Sequence, residues 1–404
     1  MKTTPKSNRL HIALFGRTNV GKSSFLNLIT GQDVSIVSEQ PGTTTDVVEK
    51  TMELLPIGPV VFIDTAGLDD KTILGKKRVE KTERVFDRAD VILLICEGDQ
   101  FGEFEQAVCE KAGNTPVIRI ANKSDLSDSS DPSYLPCNST DFSSRETILS
   151  QLKARLIDVC PDEFIQPPPL VGDLVRPGGI TMLIVPIDLQ APKGRLILPQ
   201  VSTIRDALDN DAATLVVKER EYTHILNQLK SPPDLVICDS QVVLKMVGDT
   251  PKEIPCTTFS ILFARLKGDL PKFAAGTAAI DKLKDGDKVL IAESCSHHAA
   301  EDDIGRVKIP RWLRQYTGCN LEIDVYAGLD FPNNLEEYSL AVQCGGCMNN
   351  RREILSRIEK CEAAGVPITN YGLCISQTQG VLKRVLSPFP AALDAYERLV
   401  RTTY

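Results

Sequence analysis

The chain has 404 residues, of which 42% are hydrophobic and 25% charged, and its formal net charge is −8 at pH 7. This length exceeds what one hydrophobic core usually supports, and no apolar run approaches the roughly 20 residues of a membrane-spanning helix, so we expect a cytoplasmic, multidomain globular protein with no membrane partner. No third of the chain is basic, which argues against a nucleic-acid partner because phosphate neutralisation needs clustered cations.

Short apolar runs alternate with helix-like stretches over residues 1–165. This alternation predicts a mostly parallel sheet with helices on both faces. The predicted strands are His11–Phe15, Val47–Leu54, Val60–Asp64, Val91–Cys96 and Pro116–Ala121. Three prolines at 167–169 follow this unit, and they predict a stiff linker because proline cannot continue a helix.

A phosphate-binding motif, GRTNVGKS, spans residues 16–23 between the first strand and a helix. Glycines at Gly16 and Gly21 let the loop wrap a phosphate chain, and the helix N-terminus favours the anion. Lys22 is predicted to reach the β- and γ-phosphates, and the Ser23 hydroxyl to bind Mg²⁺. Ser24 belongs to the same nucleotide-binding turn.

Two further segments supply the expected magnesium and γ-phosphate contacts. Asp64 ends the third strand and offers a carboxylate to the Mg²⁺ shell, while the backbone N–H of Gly67 is predicted to contact the γ-phosphate. Thr44 lies between the first two strands, where a switch-loop threonine completes the Mg²⁺ shell. Lys22, Thr44, Asp64 and Gly67 are therefore the predicted catalytic set.

The fifth strand ends in the sequence NKSD, which contains Asn122, Lys123 and Asp125. An aspartate at this place accepts hydrogen bonds from the N1–H and the 2-amino group of guanine, which adenine cannot supply. Four motifs in the right order at the right strand ends predict a GTPase that binds GTP, GDP and Mg²⁺.

These motifs resemble the translation-factor-like GTPases of the Era and tRNA-modification kind. Within that group, an asparagine at Asn19 implies activation by K⁺, which acts where an arginine finger would. Alternatively, Asn19 is a loop residue that only tolerates the turn. Leu68 stands where a water-positioning glutamine is common, so hydrolysis is expected to be slow. Residues 137–140 read CNST where the base-contacting loop often has Ser-Ala-Lys.

Two later units repeat the α/β pattern, over 170–267 and 268–404. Their predicted strands are Thr181–Val185, Thr214–Val217, Leu235–Cys238, Lys288–Ala292, Leu321–Val325 and Ser339–Gln343. Their predicted helices are Val201–Leu208, Tyr222–Leu229, Gln241–Val247, Arg351–Ala363 and Gly380–Leu386. The middle unit has no phosphate-binding glycine motif and no titratable cluster, which favours an association domain over a second ligand site. The predicted fold class is α/β, a P-loop GTPase domain followed by two further α/β domains with mostly parallel sheets.

Twelve cysteines in a cytoplasmic chain indicate buried thiols and metal ligands rather than disulfides. Cys344 and Cys347 form a CxxC motif between a strand and a helix, and Cys295 follows another strand. Loops after neighbouring parallel strands meet at one edge of a sheet. Three cysteines and an exchangeable fourth ligand suit a 4Fe–4S cluster with one open iron, and zinc bound by three Cys and one His is the alternative. Cys319 and Cys374 are weaker candidate ligands.

The whole chain resembles the HydF family, the GTPases that mature FeFe-hydrogenase. The resemblance lies in the GTPase motifs, the CxH and CxxC motifs, and four further segments, namely 191–199, 259–265, 304–307 and 367–372. One position departs from the family pattern, because Gln343 stands where a histidine is usual. Glutamine is a poor iron ligand, so the fourth ligand is expected from His297, His298, Glu301, a nearby aspartate or water.

The resemblance implies three domains, for GTP binding (1–165), dimerisation (170–267) and iron–sulfur cluster binding (268–404). It also implies a homodimer or higher homo-oligomer that receives a transient two-iron precursor from radical-SAM maturation enzymes. The precursor would then be delivered to apo FeFe-hydrogenase. One rival interpretation is a ribosome- or tRNA-associated GTPase with a structural zinc site, and another is a redox or cluster-repair enzyme whose CxxC cycles as a disulfide.

Overall fold

The computed structural model describes residues 4–32, 48–65, 82–126, 131–165, 168–187, 194–294 and 303–401. The chain divides into two compact units, Met1–Pro167 and Pro168–Tyr404. Within the described ranges, no helix is both long and apolar enough to cross a bilayer.

The first unit is built on one six-stranded sheet. Its strands are β1 (Leu10–Phe15), β2 (Val48–Leu54), β3 (Gly58–Asp64), β4 (Val91–Glu97), β5 (Val117–Asn122) and β6 (Tyr134–Pro136). The order is β2-β3-β1-β4-β5-β6, and β2 runs antiparallel to β3 while the other pairs are parallel. Its helices include α1 (Lys22–Thr30), α2 (Glu103–Ala112), α3 (Arg145–Val159) and α4 (Asp162–Ile165).

The central strand β1 shows why this sheet is covered on both faces. All six of its residues are buried. Ile12 and Leu14 pack into one hydrophobic cluster, and Ala13 and Phe15 pack into another. Because successive side chains point to opposite faces, a continuous apolar strand needs a helical layer on each side. Because β1 is buried in the middle of the sheet, the position of its C-terminal end, where the next loop begins, is fixed.

The second unit contains two four-stranded parallel sheets. One has the order β10-β9-β7-β8 and the other β12-β11-β13-β14. The strands are β7 (Ile180–Ile184), β8 (Ala213–Val217), β9 (Leu235–Cys238), β10 (Cys256–Thr258), β11 (Lys288–Ala292), β12 (Glu322–Tyr326), β13 (Leu340–Gln343) and β14 (Ile368–Asn370). The helices are α5 (Leu198–Asp209), α6 (Tyr222–Gln228), α7 (Val243–Asp249), α8 (Phe259–Lys267), α9 (Leu270–Thr277), α10 (Ile309–Thr317), α11 (Arg351–Ala363), α12 (Tyr371–Thr378), α13 (Leu382–Leu386) and α14 (Pro390–Arg401). A π-helical turn, Ile304–Lys308, precedes α10.

Helix α8 joins these two sheets into one body. It follows β10 of the first sheet directly, and the Thr258 hydroxyl caps it by accepting from the backbone N–H of Ile261 at 3.2 Å. In the same helix, the Ser260 hydroxyl donates to the side-chain oxygen of Asn370, at the end of β14 in the second sheet (3.0 Å). One continuous hydrophobic cluster covers both sheets.

The fold class predicted from the sequence is confirmed, an N-terminal P-loop domain followed by further α/β structure with mostly parallel sheets. Three short strands were missed, namely β6, β10 and β14. Each spans only three residues, too few for a period-2 pattern to distinguish a strand from a loop. The helix predicted at 380–386 begins later, at Leu382.

Candidate functional site

The loop between β1 and α1 folds around the ammonium group of Lys22. Its Nζ donates hydrogen bonds to the carbonyls of Gly16 and Arg17, at 2.8 and 2.7 Å. Gly21 has φ 98°, and a Cβ there would lie 2.2 Å from Nδ2 of Asn122, so glycine is required. Helix α1 begins at Lys22, which turns its first N–H groups toward the loop. This arrangement can cradle a phosphate chain.

Ser23 and Asp64, the predicted magnesium ligands, contact each other. The Ser23 hydroxyl donates to Oδ2 of Asp64 at 2.7 Å. Asp64 is 1% exposed at the end of β3, and strand pairing with Leu14 of β1 fixes its position. Thr65 adds a hydrogen bond from its hydroxyl to the carbonyl of Leu14 (2.5 Å). Hydroxyl and carboxylate oxygens are the ligands that Mg²⁺ prefers, so this pair suits that ion.

Asn122 links the loop between β1 and α1 to the segment that follows β6. Its Nδ2 donates to the carbonyl of Val20 at 2.8 Å. Its Oδ1 accepts from the backbone N–H and the hydroxyl of Ser139, at 3.1 and 2.6 Å. The contact between Ser139 and Asn122 was not predicted, because the CNST segment does not match the common loop sequence. The presence of a serine shortly after β6 was the one feature of the sequence that could have indicated it.

Lys123 and Asp125 follow Asn122 at the surface of the same edge. Lys123 takes the left-handed conformation with φ 58°, and its Nζ lies 3.2 Å from Oε1 of Glu97. The Asp125 side chain is exposed, so its carboxylate is accessible to a guanine base. Asn122, Lys123 and Asp125 thus lie at the C-terminal end of β5, as the motif indicated.

Asn19 also takes the left-handed conformation, with φ 62°, and is exposed. Asparagine is one of the few residues that adopt this conformation readily. The turn therefore provides a structural reason for Asn19, and K⁺ activation stays a prediction. The predicted contacts at Thr44, Gly67 and Leu68 lie outside the described residues.

The two cysteine-bearing loops of the second unit leave neighbouring parallel strands. Ala292 of β11 is paired with Gln343 of β13, and the backbone N–H of Cys344 donates to the carbonyl of Ala292 at 2.9 Å. Ser294 donates its backbone N–H to Sγ of Cys344 at 3.1 Å. Ser294 immediately precedes Cys295 in the sequence. The third cysteine thus follows a residue that already touches the CxxC motif.

Lys267, at the end of α8, donates hydrogen bonds to backbone carbonyls in and just after the CxxC motif. Its side chain is 3% exposed, and Nζ donates to the carbonyls of Asn349 (2.7 Å), Gly346 (3.1 Å) and Cys347 (3.4 Å). Burial lowers the pKa of Lys267 to about 8, and nearby Cys347 and Cys344 oppose this shift. Burial also raises the pKa of the Cys347 thiol, while Lys267 acts to lower it. Sequence reasoning missed this lysine, which lies far from the motif in sequence.

The thiols of Cys344 and Cys347 are partly exposed, and Cys344 lies close enough to help raise the pKa of Cys347. Thiolates on a glycine-containing turn with a buried cation beneath them are suitable ligands for an iron–sulfur cluster. Cys295, His297, His298 and Glu301 lie outside the described residues. In the rest of the chain that is described, no group of three His, Cys, Asp or Glu residues is arranged to hold a metal ion.

The weaker ligand candidates take other roles. Cys319 contacts the carbonyls of Leu283 (3.4 Å) and Thr317 (3.5 Å) through its Sγ. Cys374 is 1% exposed in α12, and burial raises the pKa of its thiol to about 12. Gln343, predicted not to be a ligand, is 1% exposed, and its Oε1 accepts a hydrogen bond from Arg357 (3.0 Å).

Relatives of the first unit are GTPases. The tRNA modification GTPase MnmE of Prochlorococcus marinus (strain NATL1A) is 42% identical over 120 residues, which is 29% of this chain and 26% of the relative. GTPase Der of Kosmotoga olearia is 38% identical over 130 residues, 30% of this chain and 29% of the relative. The alignment with a solved structure of Era from Aquifex aeolicus covers 80% of this chain and 94% of the Era chain. The two share 17% sequence identity, and the TM-score is 0.28. The chain thus spans less than a third of the curated relatives' length, and the structural likeness is too low to add to the sequence match.

Family models match all three parts of the chain. Residues 11–123 match the 50S ribosome-binding GTPase family, which supports GTP hydrolysis with GTP or GDP and Mg²⁺ bound. Residues 170–268 match the hydrogen maturase F dimerization domain, and residues 271–388 match its tetramerization domain. These two matches support homo-oligomerisation, and together they cover more than half of the sequence. The chain belongs to the hydrogen maturase F (HydF) family, as a GTPase with the dimerization and tetramerization domains of that family.

Proposed function

We propose that this GTPase is a scaffold and carrier that binds a 4Fe–4S cluster and assembles or delivers the two-iron precursor to apo FeFe-hydrogenase. One contact carries the proposal: the backbone N–H of Ser294, the residue that precedes Cys295 in the sequence, donates to the Cys344 sulfur at 3.1 Å. Cys295, Cys344 and Cys347 would then be the three firm ligands. When bound, the cluster supplies an iron with an open coordination position.

The protein's own groups would prepare this site before the cluster arrives. Lys267 holds the carbonyls of Gly346 and Asn349, which fixes the turn between the two thiols. Its positive charge offsets part of the negative charge that thiolates bring. His297 or Glu301 would supply an exchangeable fourth ligand at the open iron. The two-iron precursor is cargo that radical-SAM maturation enzymes would load.

GTP hydrolysis is proposed to act as a conformational switch. The γ-phosphate and Mg²⁺ would order the segments that contain Thr44 and Gly67, and hydrolysis would release them. Slow turnover and K⁺ activation through Asn19 belong to this proposal. The same proposal places the protein in the cytoplasm, where its partners would be.

The middle sheet is proposed to form the dimer. Strand β8 lies at the edge of its sheet, and Val216 on this strand is 45% exposed. Exposed apolar residues on an edge strand favour pairing with another strand. Ile187 (59% exposed) and Leu196 (43%) help line an open groove of about 500 Å³ beside β8. A second copy of the chain would cover this surface.

A transfer assay tests the proposed function. The full chain is purified from cells that also make the radical-SAM partners, and is then incubated with apo FeFe-hydrogenase. Hydrogen evolution should appear with the parent chain and be lost with Cys344→Ser, while Cys374→Ser serves as the matched control. Hydrogen evolution that is equal with Cys344→Ser would overturn the assignment of the cysteine site. A parent chain that gives no hydrogen evolution would overturn the carrier role.

The rival function as a tRNA- or ribosome-associated GTPase finds support only in the first unit. The MnmE and Der relatives match about 30% of this chain, and their likeness is a GTPase domain. Residues 170–268 and 271–388 match domains of the hydrogen maturase F family instead. We therefore favour the maturation function.

A further inference from the structure

A buried polar chain leads from α11 to the sulfur of Cys344. Arg357, 3% exposed, donates through Nη1 to Oε1 of Gln343 at 3.0 Å. Its Nη2 donates to the carbonyl of Gly328 (2.6 Å) and to Oε1 of Glu353 (3.1 Å). Glu353 also accepts from Nδ2 of Asn349 at 2.6 Å. The guanidinium is therefore held on several sides and cannot move far.

The position of the Arg357 guanidinium determines the orientation of the Gln343 carboxamide group. Arginine has only donors, so it must meet the oxygen of the carboxamide and not its amino group. The Nε2 amino group then points away from Arg357, toward three acceptors. These are the Ser294 hydroxyl oxygen (3.4 Å), the Cys344 carbonyl (3.4 Å) and Sγ of Cys344 (3.5 Å).

Three polar groups converge on the Cys344 sulfur. Nε2 of Gln343 and the backbone N–H of Ser294 (3.1 Å) donate to it, and the thiol itself donates to the Ser294 hydroxyl oxygen at 3.0 Å. A ligating cysteine is a thiolate and has lost its proton, so the Ser294 hydroxyl would then donate to the sulfur. Hydrogen bonds to the sulfurs of an iron–sulfur cluster stabilise the more negative, reduced state, and they raise its reduction potential.

We propose that Gln343, oriented by Arg357, is a positioning residue that donates an N–H···S hydrogen bond to the Cys344 thiolate and raises the reduction potential of the bound cluster. The inference rests on the proposed cluster site. It gives position 343 a function as a hydrogen-bond donor to a ligand, rather than as a ligand. Ser294 acts on the same sulfur from the other loop.

The test compares full-length variants after anaerobic reconstitution with iron and sulfide. Gln343→Met removes the N–H donor at similar side-chain length, and Ser294→Ala removes the hydroxyl donor. Gln377→Met is the matched control, since Gln377 is also buried (6% exposed) but bonds to Asp281, Tyr316 and Tyr396 instead. Iron and sulfide content, melting temperature and the midpoint potential from a dye-mediated redox titration are measured for each protein.

We expect the midpoint potential to become more negative in Gln343→Met and in Ser294→Ala, with iron content retained, and to stay at the parent value in Gln377→Met. An unchanged potential in Gln343→Met overturns the inference. If Gln343→Met holds no iron, the parent labelled with ¹⁵N at glutamine side chains decides by pulsed electron paramagnetic resonance. A ¹⁵N coupling to the reduced cluster supports the hydrogen bond, and its absence overturns it. A parent that takes up no cluster contradicts the proposed function instead.

Discussion

Replacing Lys267 with methionine tests how the CxxC loop is held in the apo protein. The substitution keeps the length of the side chain but removes the donor from three carbonyls, two of which lie within 3.1 Å of Nζ. A buried acceptor left without its donor costs about 1–3 kcal/mol. The carbonyl of Gly346 also accepts from the backbone N–H of Asn349 (3.2 Å), so this loss of about 1–3 kcal/mol falls on the carbonyl of Asn349, before any compensation.

Burial of the charged lysine offsets part of that loss. The pKa of Lys267 is lowered from 10.5 to about 8, so the charged form is disfavoured in the folded chain by about 3 kcal/mol. Methionine removes this penalty. At pH 7 the two effects roughly cancel, so Lys267→Met should change the free energy of unfolding little at this pH.

The same shift predicts how the effect depends on pH. Between pH 8 and pH 10.5 the unfolded chain keeps a proton on Lys267 that the folded chain has released. The free energy of unfolding of the parent, relative to that of Lys267→Met, therefore rises with pH across this window. This contribution is fully present above pH 10.5 and is lost as pH falls through 8. The neutral amine still has two N–H groups, which are enough for the two nearer carbonyls, those of Asn349 and Gly346.

Urea unfolding followed by tryptophan fluorescence measures this difference. The chain has one tryptophan, Trp312 in α10, which packs against the core of the second unit, so the signal reports on that unit. Lys272→Met is the control, because Lys272 forms an exposed pair with Glu362 that contributes little. If Lys267→Met is no less stable than Lys272→Met at pH 10, or if its loss of unfolding free energy relative to the parent does not grow between pH 8 and 10, Lys267 does not hold the loop in this way.

Four further outcomes are expected. Asp125→Asn should weaken GDP binding and favour xanthine nucleotides in a fluorescence competition assay; unchanged GDP affinity would remove the guanine contact. GTP turnover should rise when K⁺ replaces Na⁺ at equal ionic strength and lose this difference in Asn19→Ala, whereas equal parent rates in both salts would exclude K⁺ activation. Val216→Lys, which puts a charge on the edge of β8, should shift the dimer toward monomer in light scattering, and a persistent dimer would place the interface elsewhere. His297→Ala should keep nearly all of its iron but change the electron paramagnetic resonance signal of the reduced cluster; iron loss as complete as in a cysteine variant would indicate four firm ligands.

Long apolar strands and motif residues at strand ends could be read from the sequence. Strands Leu235–Cys238 and Lys288–Ala292 have the predicted bounds because both are short apolar runs between polar segments, and all of their residues except Lys288 are buried. The three-residue strands β6, β10 and β14 could not be read, since pairing with a neighbouring strand defines them. Helix α8 was also missed, although Thr258 marks its N-terminus as a capping residue.

The partners of the motif residues were harder to predict than the motifs themselves. Ser139 meets Asn122 and Lys267 meets the CxxC loop only after distant segments come together. A single sequence carries no signal for such contacts when the partner is an ordinary serine or lysine. Gln343 shows the same limit, because its chemistry depends on Arg357 facing its oxygen.

Iron and acid-labile sulfide content per chain shows whether Cys295, Cys344 and Cys347 bind a 4Fe–4S cluster. The full-length parent, Cys295→Ser, Cys344→Ser and Cys347→Ser are reconstituted anaerobically, with Cys374→Ser as a buried-cysteine control. We expect about four iron and four sulfide ions and a broad visible absorption for the parent and the control, with most of the iron lost in each of the other three variants. A colourless parent that binds one zinc ion, or cysteine variants that keep the full iron content, would contradict this expectation.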